Sequence, residues 1–139
     1  MTDSFILNSS ERGLMLTFSG SPSPKTRIVR ICGCQVIFAQ TDAVKICAAD
    51  PLVALNLAIE MKKCRLVKNE GHGCHLQNLT LTSCDIQACE FNENQLTNLV
   101  VEQVRSIVDA KYSVNLSDCQ LTKSELGSGL QLIDSGVHL

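Results

Sequence analysis

The chain has 139 residues, and its 12 lysines and arginines against 14 aspartates and glutamates leave a formal net charge of −2. A nucleic-acid-binding protein usually needs a basic surplus to neutralise phosphates, so this composition argues against a nucleic-acid partner. No stretch approaches the roughly 18 apolar residues of a membrane span, and residues 1–13 lack the pattern of a signal peptide. We therefore expect a cytoplasmic protein without a membrane partner, in which the eight cysteines are reduced.

Residues 1–24 are predicted to form an N-terminal hairpin and linker, and residues 25–139 a single repeat-like domain. Residues 5–7 and 14–18 are short apolar segments separated by polar residues, which is typical of a hairpin. The glycine and prolines of residues 19–24 disfavour regular structure and mark the boundary. Residues 27–38 are rich in β-forming side chains and predict one or two strands.

Two later segments predict helices. Residues 51–63 follow Asp50, a good N-cap, begin with Pro51 and end in lysines that complement a helix dipole. Residues 94–110 carry an apolar stripe at helical spacing, with helix expected from about Leu99 onward.

A five-residue repeat runs through much of the chain. Six of the eight cysteines share one phase of it: Cys34, Cys64, Cys74, Cys84, Cys89 and Cys119. Apolar residues follow two positions later, as in Leu76, Ile86 and Phe91. A period of five fits neither a helix nor a flat strand, but it suits a chain that turns a corner every five residues. The cysteines are then expected to be small buried hydrophobic residues.

Residues 74–98 and 114–128 resemble the pentapeptide-repeat family, whose unit has a small residue, Asp or Asn, Leu or Phe, and two polar residues. Residues 84–88, 89–93 and 114–118 match this unit, whereas 74–76 and 119–121 match at the inward positions only. The resemblance implies a right-handed, four-sided β-helix. The expected fold class is therefore mainly β, with a right-handed quadrilateral β-helix-like segment and one or two helices. The alternative is a compact α+β domain.

A weaker resemblance is to the PilZ domain, a β-barrel that binds cyclic di-GMP. Residues 78–83 are similar to its Asp/Asn-x-Ser-x-x-Gly motif, with Thr in place of Ser and Ser in place of Gly. The two arginines that would grip the phosphates are not matched, because Arg27 and Arg30 are one residue too close together and far upstream.

Metal binding is one candidate chemistry, because Cys and His cluster in the middle of the chain. His72, Cys74 and His75 lie within four residues, with Cys64 as a fourth candidate ligand. Paired Cys-x-x-Cys knuckles, which structural zinc sites usually show, do not occur. We therefore predict no metal and no cofactor, and name these four residues as the ligands if a metal is bound.

Catalytic candidates are weaker still. A cysteine with His72 or His75 and an acid such as Asp85 could form a triad, but no recognisable local signature surrounds any cysteine. Residues 71–73 (Gly-His-Gly) lack the long loop and lysine of a phosphate-binding loop, and predict a tight turn. No catalytic residue is therefore assigned.

The sequence favours a non-enzymatic protein–protein interaction module, such as a scaffold, an inhibitor or an effector-type binding protein. The candidate partner-binding residues are outward polar positions of the repeat and a small basic cluster: Gln77, Thr80, Thr82, Gln87, Asn92, Lys62, Lys63 and Arg65. The expected partner is another protein, with a homodimer through exposed β-helix ends as a further expectation. The alternatives are a small regulatory domain that binds a nucleotide or signalling ligand, and a zinc- or cysteine-dependent protein.

Overall fold

The computed structural model describes residues 2–5, 8–9, 13–18, 27–48, 57–102, 104–106, 112–124, 127, 129–133 and 137–138. Within these residues the regular elements are β-strands and none is a helix. Every strand pairing among them is parallel. The protein is therefore mainly β, as the repeat predicts.

The strands follow one another in coils. The first coil contains β1 (Thr2–Phe5), β2 (Asn8–Ser9) and β3 (Leu14–Phe18). The second contains β4 (Arg27–Cys32), β5 (Gln35–Ile37) and β6 (Val44–Ala48). The third contains β7 (Leu57–Lys62), β8 (Arg65–Val67) and β9 (Cys74–Gln77). The fourth contains β10 (Thr80–Gln87), β11 (Glu90–Asn94) and β12 (Leu99–Glu102), and β13 (Arg105–Ser106) follows it. The fifth contains β14 (Tyr112–Ser117), β15 (Gln120–Ser124) and β16 (Leu130–Ile133), before β17 (Val137–His138).

Successive coils stack through three parallel sheets. Sheet A has the order β1-β4-β7-β10-β14-β17, with β13 also paired to β10; sheet B has the order β2-β5-β8-β11-β15, and sheet C the order β3-β6-β9-β12-β16. Each coil therefore bonds to the coils before and after it, which makes a β-helix-like stack. The described strands form three sheets, where the pentapeptide-repeat resemblance implied four sides.

The N-terminal segment enters this stack rather than forming the expected hairpin. Strand β1 pairs in parallel with β4 in sheet A, and β3 pairs in parallel with β6 in sheet C. Phe5 and residues 14–18, the described parts of the two apolar segments, thus lie in different sheets of the first coil, and residues 6–7 and 19–24 lie outside the described residues.

Both helix predictions are wrong wherever the structure describes the chain. Residues 57–62 form strand β7, in which Leu57, Ile59 and Met61 point into the core and alternate with Ala58 and Glu60. Residues 90–94 and 99–102 form strands of the fourth coil. Residues 51–56 and 107–111 lie outside the described part of the chain. Parallel pairing on both sides satisfies the backbone of β7, which outweighs its helix propensity.

The five-residue repeat is visible in the backbone as a series of corners. Left-handed φ angles between 53° and 60° occur at one phase of the repeat, at Phe38, Lys63, Lys68, Asn78, Ala88, Glu93 and Asp118, and Gly33 in the same phase has φ 64°. A left-handed residue between two extended segments bends the chain sharply, so it can turn a coil from one side to the next.

The core consists of inward residues stacked in rows from coil to coil. Ile31 pairs with Met61, and Met61 with Ile86, so equivalent positions are 30 and then 25 residues apart. Both offsets are multiples of five, which keeps the phase constant along the chain. The corresponding rows in the other two sheets are Val36, Leu66 and Phe91 in sheet B and Ile46, Leu76 and Val101 in sheet C, all buried.

A stack of cysteines lines the corner between sheets A and B. Cys34, Cys64 and Cys89 are buried there, and Cys119 is half-buried in the next coil. The Cys64 thiol donates to the Ile31 carbonyl oxygen over 3.4 Å, one coil away. These four cysteines are 30, 25 and 30 residues apart, all multiples of five, so the repeat stacks small polarisable side chains at one corner.

Buried asparagines line the corner between sheets B and C. The Asn69 side-chain nitrogen donates to Asn94 Oδ1 over 2.8 Å, and the Asn94 side-chain nitrogen donates to the Leu66 carbonyl oxygen and to Asn98 Oδ1, both over 2.8 Å. The exposed fractions of Asn69 and Asn94 are 1% and 0%. These amides satisfy buried backbone groups that the turn cannot pair internally.

Candidate functional site

The turns between sheets B and C bring two histidines and an aspartate together. Asp42 lies between β5 and β6, and His72 lies one coil later between β8 and β9, three residues before His75 in β9. The Ala43 amide donates to the His72 carbonyl oxygen over 2.8 Å, so backbone bonds hold the two turns in register. One potential ligand atom from each of Asp42, His72 and His75 lies within 4.8 Å of the others, and we call these residues the His–Asp cluster.

Glycine is required at two positions beside this cluster because the turns approach each other closely. A Cβ atom on Gly71 would overlap the backbone nitrogen of Asp42, and one on Gly73 would overlap the carbonyl oxygen of Asn98. The Gly-His-Gly segment is therefore a tightly packed turn, which places His72 against the neighbouring coil.

Hydrogen bonds fix the side chains of the cluster. Asp42 Oδ1 accepts from the His72 backbone nitrogen over 2.7 Å, and its Oδ2 lies 3.1 Å from His75 Nδ1. His75 Nε2 lies 3.0 Å from Glu102 Oε2, which also accepts from Gln77 Nε2 over 3.2 Å. His75 therefore bridges two carboxylates that come from the coil before it and the coil after it.

The pKa values of the cluster follow from these contacts. The hydrogen bond to Asp42 raises the pKa of His75, and Glu102 adds to this effect against the cost of burial. Burial raises the pKa of Asp42, but hydrogen bonds from His75 and from the His72 amide outweigh it and leave the pKa below its usual value. Burial lowers the pKa of His72. The two histidines thus differ in the charge state that their surroundings favour.

His72 is oriented by the fourth coil. Its Nδ1 accepts from the Thr97 amide nitrogen over 3.1 Å and lies 3.3 Å from the Thr97 carbonyl oxygen. Its ring packs edge-on against that of His75, with centroids 5.1 Å apart.

A small groove adjoins the cluster on the side of the first coil. It has a volume of about 310 Å³ and is lined by Gly13, Leu14, Met15, Thr41, Asp42 and Lys45. Met15 is 63% exposed. Asp42 therefore stands between the histidines and an open groove.

A second groove lies at the corner between sheets B and C. It has a volume of about 660 Å³ and is lined by Phe38, Lys68, Asn69, Glu70, Glu93 and Gln95, which we call the Phe38 surface. Phe38 is 61% exposed and has a left-handed φ of 60°. Sequence reasoning missed Phe38, although a large apolar residue at the corner phase of the repeat was a signal for it.

The structure brings together two of the four candidate metal ligands. His72 and His75 belong to the His–Asp cluster, but Cys74 points into the core with no exposed surface, and Cys64 lies in the cysteine stack. Alternation along β9 explains this result, because Cys74 and His75 must point to opposite faces of sheet C. Asp42, which the sequence did not single out, takes the place of the cysteines.

The candidate catalytic triad is not assembled. Asp85 lies in β10 of sheet A, where its Oδ1 accepts from Asn115 Nδ2 over 2.8 Å. His75 lies in β9 of sheet C, and His72 lies in the turn before that strand. Burial raises the pKa of Cys84 to about 12, and a hydrogen bond with Cys34 raises the pKa of Cys64 to about 11. These two groups stay protonated at neutral pH, which is the opposite of an activated nucleophile.

The candidate partner-binding residues are distributed over several faces. Lys62 and Gln87 pair at the ends of β7 and β10, next to Lys63 and Arg65 at the corner between sheets A and B. The remaining four lie elsewhere: Gln77 in sheet C, Thr80 and Thr82 in sheet A, and Asn92 in sheet B. The basic cluster and Gln87 thus share one corner, and the other positions do not join it.

Comparisons with protein-family models, with characterised proteins and with solved structures find no match to this chain. The described residues include no helix that could cross a bilayer.

Proposed function

We propose that this protein is a non-enzymatic protein–protein interaction module that binds through the Phe38 surface. The observation that carries the proposal is Phe38 itself, which is 61% exposed while its backbone holds a left-handed φ of 60°. A bulky residue in this conformation is strained, and an exposed aromatic ring loses the benefit of burial. Neither stability nor solubility accounts for a phenylalanine here, whereas a binding role does.

The neighbouring coils support this argument. Ile37 pairs with Val67, and Val67 pairs with Asn92, so the residues that follow them are structurally equivalent. These residues are Phe38, Lys68 and Glu93, and all three have a left-handed φ. The same corner can therefore be built with a charged residue, and the fold does not require an aromatic ring at position 38.

The charge of the groove favours a protein partner. Lys68 Nζ lies 4.0 Å from Glu93 Oε2, and Glu70 adds a second carboxylate to the lining. Leu96, which is 37% exposed, directly follows Gln95 in the turn between β11 and β12. Exposed apolar groups beside mixed charges and amides suit a polypeptide segment with an apolar anchor better than a phosphate backbone.

Two further observations support a binding role rather than catalysis. The core cysteines Cys64 and Cys84 have raised pKa values, and both ring nitrogens of His75 are engaged by carboxylates. Neither arrangement provides an activated nucleophile with a free general base.

A second copy of the chain is the other partner that the fold favours. Strands β2, β3, β15 and β16 are the outermost strands of sheets B and C among the described residues. Unpaired strand edges can be extended by another chain, so a homodimer through an end of the stack is part of the proposal.

The resemblance to pentapeptide-repeat proteins also stays a proposal. It is supported by the five-residue spacing, and a right-handed coil is expected because connections between parallel strands are nearly always right-handed.

Replacing Phe38 should separate binding from stability. We expect Phe38→Asn to leave the free energy of unfolding unchanged or to raise it by up to about 1 kcal/mol, because asparagine tolerates a left-handed φ. Partners captured by the wild-type protein from the source cells should be lost. The matched control is Asp118→Asn, at the same phase of the repeat but at the corner between sheets A and B. The proposal would be contradicted if the Phe38→Asn variant captured the same partners as the wild-type protein. It would also be contradicted if the control variant lost those partners to the same extent.

A further inference from the structure

We propose that the His–Asp cluster is a binding site for a single Zn²⁺ ion, independent of the Phe38 surface. Two nitrogen ligands from His72 and His75 and one oxygen ligand from Asp42 can converge, with the donor atoms within 4.8 Å of one another. Mixed imidazole and carboxylate ligands favour Zn²⁺ over Mg²⁺ or Ca²⁺, which prefer oxygen ligands alone.

The spacing of the donors is close to what the ion requires. Tetrahedral zinc with bonds of 2.0–2.1 Å separates its donor atoms by about 3.3 Å. His75 Nδ1 and Asp42 Oδ2 are already 3.1 Å apart. An ion between them would replace the proton that they share, and a small rotation of His72 would complete a three-residue site.

The surroundings match the outer support of a metal site. A ligating histidine usually hydrogen-bonds through its other nitrogen to a carboxylate, and His75 Nε2 lies 3.0 Å from Glu102 Oε2. The His72 backbone amide donates to Asp42 Oδ1 over 2.7 Å, which leaves Asp42 Oδ2 directed at His75. His72 would bind the ion through Nε2 in the tautomer whose Nδ1 carries the proton, and that Nδ1 can donate to the Thr97 carbonyl oxygen, 3.3 Å away.

Three protein ligands leave a coordination position for water or for a ligand in solution. The groove beside Asp42, lined also by Met15 and Lys45, gives access from the side of the first coil. Three ligands with an open position are typical of exchangeable or reactive zinc rather than of closed structural zinc. The chain therefore has a built-in position for a divalent transition metal at the joint between its second and third coils.

Calorimetric titration of the chelator-treated full chain with ZnCl₂ tests this site, with MgCl₂ as the comparison. We expect one Zn²⁺ per chain, no heat from Mg²⁺, and affinity at least about tenfold weaker in His72→Gln. The matched control, His138→Gln, replaces the third histidine, which lies in β17, and should bind as the wild type does. Metal-free thermal unfolding of each variant verifies that weaker binding is not lost folding.

Titration with Co²⁺ identifies the ligands. Tetrahedral coordination by nitrogen and oxygen should give visible d–d absorption without a thiolate-to-metal charge-transfer band. Absence of Zn²⁺ binding, equal binding by folded His72→Gln, or a thiolate band indicating cysteine ligands would each overturn the assignment.

Discussion

Replacing Asn94 with leucine is expected to lower the free energy of unfolding by about 3–5 kcal/mol, measured by urea denaturation. Asn94 Oδ1 accepts from the Asn69 backbone and side-chain nitrogens, and its own side-chain nitrogen donates to Leu66 and Asn98. Leucine is similar in size but can make none of these four bonds. It would leave several buried polar groups of the third and fourth coils unsatisfied, in a protein whose total stability is of the order of 5–15 kcal/mol.

The matched control for this change is Asn92→Leu, two residues earlier in the same strand. Asn92 points away from the core, is partly exposed, and accepts one hydrogen bond of 2.9 Å from the exposed Thr122. The control should change stability by about 0.5 kcal/mol or less. Equal effects of the two substitutions would show that the buried asparagines do not hold the corner together.

Replacing Phe91 with alanine should also cost about 3–5 kcal/mol. Phe91 has no exposed surface and is among the largest fully buried side chains of the described residues. It stacks between Leu66 of the coil before and Leu121 of the coil after. In a stack where each coil contacts only its neighbours, the cavity would weaken both interfaces of the fourth coil.

The control here is Phe91→Leu, because leucine occupies the equivalent position in both neighbouring coils. It should cost about 1 kcal/mol, since most of the volume remains. Urea denaturation measures both variants, and a loss from Phe91→Ala no larger than that from Phe91→Leu would contradict the stacked-row description of the core.

The parallel coils could be predicted from the sequence because a single spacing encodes them. Corners recur at one phase of the five-residue repeat, and inward residues such as Met61, Ile86 and Phe91 share another. Leu96 departs from this pattern, since it occupies the inward phase but is 37% exposed in a turn. The number of sheets among the described strands could not be read from the spacing, because a five-residue period sets where corners fall but not how strongly each one bends.

The helix predictions failed for a local reason. In residues 57–62, Leu57, Ile59 and Met61 fit a strand period of two, but the apolar composition of the segment also fits a helix. Local caps such as Asp50 and Pro51 then favoured a helix, whereas strands on both sides decide the outcome. Pairing between residues 25 and 30 positions apart is invisible to a local pattern.

Two of the three residues of the His–Asp cluster could be predicted from the sequence. His72 and His75 are close in the sequence, so they were recognised together, whereas Asp42 is 30 residues before His72. That distance equals one coil, as between Ile46 and Leu76. Only the coil length, which the structure provides, shows that Asp42 faces the histidines.

Photo-crosslinking from position 38 tests the central claim most directly, because it asks whether this corner contacts a partner. A benzophenone amino acid would be placed at Phe38 in one variant and at Asp118, an exposed residue at another corner, in a second. We predict that position 38 crosslinks to another polypeptide in the source cells and that position 118 does not. The mass of the product distinguishes a different protein from a second copy of the chain. Crosslinking from position 118 alone, or from neither position, would contradict the account.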